Sequence, residues 1–321
     1  SKGNIGKLID VFFIFGLVGG VGTSLGIGIP MISAVASEIF GVSRGLALDA
    51  AILVGLTALF SASVAAGLDK GIKLLSDINM GLATVLLCFF LIVGPTAFIL
   101  TQAFDSLSLM LGNFVEMSLR TDKDITSTFA QDYTIFFWAW WLSWAPFMGL
   151  FIARISRGRT VREVVWGVVI GGSVGCWAGF AILGNATLDL VNNGHVALNA
   201  MIDSGTVDAP MVVVELLKAQ PFSMLVSIGF FVLAFIFVAT SLDSAAFTLA
   251  ATASDDLPAD GQPARWHRLT WAFILAITAL SLMLVGGLEV LQAASVVVGL
   301  PVLFILGMMV TGLMRQIKAD S

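Results

Sequence analysis

Residues 132–163 read DYTIFFWAWWLSWAPFMGLFIARISRGRTVRE. Positions 133–153 hold no charged residue, and at about 1.5 Å per residue such a run crosses a hydrocarbon core of about 30 Å as a helix. Trp138, Trp140, Trp141 and Trp144 are four of the chain's 8 tryptophans. At 100° per residue they fall within an arc of roughly 160°, which makes one broad aromatic panel. Pro146 and Gly149 follow, near the middle of the segment. A missing amide donor and a flexible glycine predict a break there, although a simple packing kink gives the same pattern. The run then closes on Arg154, Arg157, Arg159 and Arg162.

The rest of the 321 residues has the same character: 58% hydrophobic, 12% charged, mean hydropathy +0.99. Soluble domains carry about twice that share of charge. Continuous apolar runs, not alternating strands, predict an all-α polytopic membrane helix bundle in one transmembrane domain over 1–321. Eight spanning helices are expected near 8–40, 45–68, 77–100, 131–154, 164–184, 221–253, 267–286 and 289–313. Segments 101–130 and 185–220 read as the sizeable loops. In the first, Leu107, Met110, Leu111, Phe114, Val115 and Leu119 recur at three- and four-residue steps, as on a helix lying at the membrane surface.

Basic residues concentrate on the cytoplasmic side of membrane proteins. With both termini inside, 12 of the 16 Lys and Arg fall on inner segments, and only Arg44, Arg120, Lys123 and Lys218 fall outside. The expected arrangement is therefore N-in and C-in at a plasma (bacterial inner) membrane. The chain opens on SKGNIGKLID with no initiator Met, and the apolar run after it is too long for a signal segment, so it is expected to begin mid-protein. Cys88 and Cys176 lie in apolar runs and suggest neither disulfide nor metal chemistry. No nucleic-acid partner is expected; membrane lipid is. No His, Cys or carboxylate pair converges within the apolar runs, so the chain does not read as an enzyme.

Indole faces attract quaternary amines, at about 0.5–2 kcal/mol per contact. An interfacial belt is the alternative for any lone tryptophan, but this panel runs deeper than a belt. Phe237, Thr240 and Ser241 in FVATSLDS place adjacent hydroxyls on a long helix, where they either ligate a small hard cation or bond back to their own carbonyls. Asp243 in the same run reads as a hydrogen-bonded structural carboxylate, with function the default for an ionisable group at membrane depth. Gly22, Gly26 and Gly28 fit close helix packing. The basic run 154–162 reads as a solvated loop or a lipid-headgroup contact, and His195 as exposed.

FFWAWWLSWAPFMG followed by LFIARISRGRTVRE, with GVGTSLGIG in the first helix and ATSLDS in the sixth, resembles the betaine/choline/carnitine transporter (BCCT) family along the whole chain. That family has twelve helices, ten of them forming two inverted five-helix repeats of the LeuT type, and this chain resembles its part from the fifth helix on. The resemblance makes 1–100 the remainder of the first repeat, 101–130 the outer interfacial helix and 131–321 the second repeat. It implies Trp141 as a wall of the substrate's aromatic box, Trp138 as its neighbour and Trp144 in the inward pathway, with Trp140 in packing. It also implies Phe237, Thr240 and Ser241 in a sodium site. The family's second proposed sodium site uses two hydroxyls where this chain has Leu17 and Val21, beside Phe147, which implies fewer coupled ions. No cofactor beyond Na+ as coupling ion is implied, and a homotrimer is. The expected function is sodium-coupled alternating-access transport of a quaternary-ammonium solute such as glycine betaine, choline or carnitine. The alternative is a non-transporting membrane sensor or structural subunit, or an inactive fragment.

Overall fold

A computed structural model describes residues 3–66, 68–120, 128–156, 158–254 and 262–320. Lys2, Lys123 and Arg157 of the basic tally lie outside these. The described residues form helices and their connections without strands.

Helix α1 (Gly3–Phe40) passes through Pro30 without ending. It stops at Gly41, whose φ of +66° suits the left-handed position that closes many helices. Helix α2 (Leu46–Ala66) and α3 (Leu68–Val93) follow. The helix expected over 77–100 instead ends at Val93, because Pro95 cannot donate to the helical ladder and restricts Gly94 before it. The freed Leu91 carbonyl accepts from the Thr96 hydroxyl at 2.6 Å. A new helix α4 (Thr96–Gly112) starts there and is followed by the short α5 (Phe114–Ser118). The surface-helix pattern of 101–130 is thus split between two helices joined at Asn113.

A π turn (Ala130–Ile135) leads into α6 (Phe136–Ile155), which carries the indoles. Helix α7 (Val161–Asn192) begins at a capping box in which Thr160 and Glu163 satisfy each other's amides. It runs past the expected end at 184 through two glycine-flanked π turns. The expected loop 185–220 is itself largely helical: it holds the end of α7, then α8 (Val196–Asp203) and α9 (Ala209–Lys218). His195 is not simply exposed there. Its Nε2 lies 3.8 Å from the Glu215 carboxylate, with the side chain 25% exposed. Glu215 also accepts from Lys218 at 3.1 Å, which raises the ammonium's pKa above the ordinary lysine value.

Helix α10 (Ser223–Thr252) matches its expected span. Two helices were expected over 267–313, but α11 (Arg265–Asp320) is continuous. The expected break between 286 and 289 falls at Gly286 and Gly287, but glycine costs a helix only about 1 kcal/mol per residue. Among the described residues, five helices are long and apolar enough to cross a membrane.

Helix α1 is the central post. Leu17, Val21, Leu25 and Ile29 meet α2, α10 and α11 in one apolar core, and Ala34 and Val35 meet α3, α9 and α10 in a second. Lipid supplies no hydrophobic drive between helices, so close packing and polar links must hold them. Arg268, counted among loop cations in the sequence, is one such link. It is fully buried on α11 and donates to Asp243 of α10 at 2.7 Å.

Candidate functional site

The aromatic panel of α6 divides. Trp138 and Trp141 are 58% and 59% exposed, whereas Trp140 and Trp144 turn onto α1. The Trp140 indole donates to the Gly20 carbonyl at 3.1 Å and stacks on Phe136. Trp144 stands edge-on to Phe147 with ring centres 5.4 Å apart, and Phe147 is buried beside Leu17 and Val21. A Cβ at Gly20 would lie 3.2 Å from the Trp144 Nε1, so glycine there lets α1 admit the indoles. Trp140 therefore packs, Trp144 and Phe147 belong to the core face, and Trp138 and Trp141 remain open.

Those open rings line a cavity of about 390 Å³ between α6 and the surface helices. Tyr133, Phe137, Trp138 and Trp141 form one wall, and Met110 and Phe114 belong to the other. It is a groove open on one side rather than an enclosed pocket, and its walls are almost wholly aromatic or thioether. Such a surface suits a poorly hydrated cation.

The break expected at Pro146 is absent: α6 continues through Pro146 and Gly149 to Ile155. Phe147, beside the proline, is anchored in the core, and neighbouring helices tolerate a proline at membrane depth.

Phe237, Thr240 and Ser241 sit together on α10, but not in the aromatic cavity, whose lining includes none of them. This groove therefore does not join the indoles to the hydroxyls. The Thr240 and Ser241 hydroxyls both donate to the Phe237 carbonyl, at 3.0 and 2.9 Å, and the Phe237 ring is 61% exposed. Two hydroxyl oxygens thus converge on one carbonyl, a cluster of hard oxygens whose lone pairs are left over. Leu17 and Val21 are 0% and 1% exposed and purely apolar, so the core around Phe147 offers no hydroxyl from these positions.

Asp243 lies two positions beyond Ser241. Its pair with Arg268 has side-chain exposures of only 3% and 1%, and the guanidinium also rests over the Phe247 ring at 5.2 Å. Asp243 is therefore hydrogen-bonded within the bundle, through Arg268.

A further polar cluster went unnoticed in the sequence. Thr23 of α1 and Ser295 of α11 share a 2.6 Å hydrogen bond, and their hydroxyl oxygens lie 3.0 and 3.3 Å from the Gly19 carbonyl, which accepts from whichever hydroxyl does not donate to the other. Ser143 of α6 lies 3.5 Å from the Ser295 carbonyl. Around them Gly19 and Gly299 admit neighbours that a Cβ would strike, at 2.8 Å from Val298 and 3.0 Å from the Ala139 carbonyl. Only the GxxxT spacing of Gly19 and Thr23 hinted at this contact.

Comparison with known proteins shows the family. The profile described as BCCT, betaine/carnitine/choline family transporter, matches residues 1–321. The glycine betaine transporter OpuD of Bacillus subtilis (strain 168) is 36% identical over 321 residues, covering 99% of this chain and 61% of that protein. A glycine betaine transporter of Acinetobacter baylyi (strain ATCC 33305 / BD413 / ADP1) is 34% identical over 324 residues, covering 99% of this chain and 47% of that protein. The chain thus spans roughly half the length of these relatives.

Proposed function

Given that this chain belongs to the betaine/carnitine/choline family of transporters, we propose that the protein moves a quaternary-ammonium solute of the glycine betaine, choline or carnitine type across the membrane. The carrying observation is the pair of open indoles, Trp138 and Trp141, on the wall of an aromatic cavity of about 390 Å³. Cation–π contact holds a methylated ammonium where hydrogen bonding cannot, because such a group has no N–H to donate. Trp141 is the principal wall and Trp138 its neighbour. Trp144 and Phe147, packed on α1, set the depth to which the solute descends.

Sodium is the proposed coupling ion, bound by the hydroxyls of Thr240 and Ser241 beside the Phe237 carbonyl on α10. Coupling then requires α10 and α6 to respond to one another. Both pack on α1 and α11, which supports alternating access by rocking of helix groups in a LeuT-like repeat. A homotrimer belongs to the same proposal; the N-in and C-in arrangement rested on two crossings over 267–313, which the single continuous α11 does not supply.

Uptake of radiolabelled glycine betaine by the full-length protein, with and without a sodium gradient, tests it. Trp141→Leu is expected to lower uptake at least tenfold while leaving the protein in the membrane. Unchanged uptake would remove the indole from the mechanism. Equal uptake without sodium would remove the ion.

A further inference from the structure

Three glycines in the first half of α1 meet different neighbours. A Cβ on Gly16 would lie 3.0 Å from Val302 and one on Gly19 2.8 Å from Val298, both on α11. A Cβ on Gly20 would instead meet α6, at 3.2 Å from Trp144 Nε1 and 3.3 Å from both Trp144 Cδ1 and Ser143 Cβ. The Gly20 carbonyl also accepts from the Trp140 indole at 3.1 Å. Trp140 and Trp144 stand only about 40° apart around the helix, so both inward indoles bear on this one residue. On its other flank α6 lies against α11: a Cβ on Gly299 would lie 3.0 Å from the Ala139 carbonyl oxygen, and the Ser143 hydroxyl is 3.5 Å from the Ser295 carbonyl. Helix α6 is thus held between two glycine seats.

We propose that the missing side chain of Gly20 sets the rotation of α6 about its own axis, and through it the placement of Trp138 and Trp141 in the groove, which makes Gly20 a positioning residue for solute binding. The inference rests on the reading of the protein as a quaternary-ammonium carrier. Trp141 follows Trp140 by about 100° around the helix and Trp138 precedes it by about 200°, so a turn that moves the inward indoles moves the open ones with them. Side chains stand about 5–6 Å from a helix axis, and a turn of about 10° therefore carries a ring about 1 Å, beyond the roughly 0.5 Å to which a binding site must be held. A methyl at Gly20 lacks room beside Trp144 and Ser143, and α11 closes the retreat of α6 in the other direction, so rotation is the remaining relief. Loss of the Trp140 hydrogen bond leaves the seat empty and the register intact; a filled seat displaces it.

The test measures glycine betaine affinity on purified full-length protein by scintillation proximity, together with melting temperature. Gly20→Ala is expected to weaken affinity roughly five- to tenfold, the worth of one close aromatic contact. Gly55→Ala, whose Cβ would lie 3.3 Å from the Phe235 ring between α2 and α10, is expected to lower the melting temperature comparably and leave affinity unchanged. Trp144→Phe removes the Nε1 that the methyl meets first, so in that background Gly20→Ala is expected to cost affinity less than about twofold. Because that double variant relieves the contact that endangers folding, it answers the question even if Gly20→Ala alone does not reach the membrane: a loss of about fivefold or more relative to Trp144→Phe overturns the positioning role. Affinity kept in Gly20→Ala, or lost equally in Gly55→Ala, overturns it as well and leaves the carrier reading standing. If the wild-type protein binds neither glycine betaine nor choline, the carrier reading fails and takes the positioning role with it.

Discussion

The Arg268 guanidinium donates to Asp243 Oδ1 across 2.7 Å and joins α11 to α10 through side chains that are 1% and 3% exposed. Two opposite charges at this depth are tolerable only together, because either alone would be an uncompensated charge away from water. Asp243→Asn or Arg268→Met is expected to cost about 3–5 kcal/mol, and the double variant with both changes to cost less than either single one. Thermal unfolding followed by size-exclusion chromatography measures this. A double variant as unstable as the sum of the singles would mean that the two groups do not act as a pair.

Trp140 and Trp141 are neighbours in sequence with opposite duties. Trp140→Phe loses the hydrogen bond to the Gly20 carbonyl, worth about 1 kcal/mol, and is expected to lower melting temperature more than solute affinity. Trp141→Phe keeps an aromatic ring in an exposed position and is expected to do the reverse. Measuring both quantities on both variants decides the matter, and equal effects on affinity would contradict the division of the panel.

Thr240 and Ser241 donate only within their own helix, so Thr240→Ala with Ser241→Ala is expected to cost less than about 1 kcal/mol in stability. Its effect should appear in transport as a sodium requirement raised at least tenfold. With Leu17 and Val21 apolar beside Phe147, uptake should depend on sodium with a Hill coefficient near one. A measured stoichiometry of two sodium ions per solute would refute that.

Gly299 faces the Ala139 backbone, where an added Cβ would lie 3.0 to 3.1 Å from three backbone and side-chain atoms. Gly299→Ala is expected to destabilise by about 1–3 kcal/mol through overpacking. Gly149→Ala meets nothing within 4 Å and is expected to stabilise α6 by up to about 1 kcal/mol. Thermal scans of the two variants should move in opposite directions.

The helical bundle was legible because uninterrupted apolar runs leave a chain in lipid no other way to satisfy its amides. Local punctuation was harder to read. Pro95 ended a helix where hydropathy alone carried on to position 100, and the pair Gly286 and Gly287 failed to end one. Segment 185–220 looked like a loop because its helices α8 and α9 are short and polar at their ends. Panel density identified α6 but not which indoles stay open, since that depends on α1, more than a hundred residues upstream. Arg268 read as a loop cation for the same reason: its partner, Asp243, lies on another helix. Thr23, Ser143 and Ser295 gave almost no signal, because a lone hydroxyl in an apolar run usually bonds to its own backbone and its partners here are distant in sequence. The Phe237, Thr240 and Ser241 cluster was found by resemblance, and its hydroxyls do bond back to their own helix.

The contact at Gly19, Thr23, Ser295 and Gly299 restricts which helices can shift past one another. With side chains absent at the glycines and hydroxyls paired across the gap, α1, α6 and the latter half of α11 mesh like cogs. A slip of one residue, about 1.5 Å, would drive a valine into a backbone and tear out a buried hydrogen bond. Those three helices are therefore locked together at this contact, and any movement between them would have to break it.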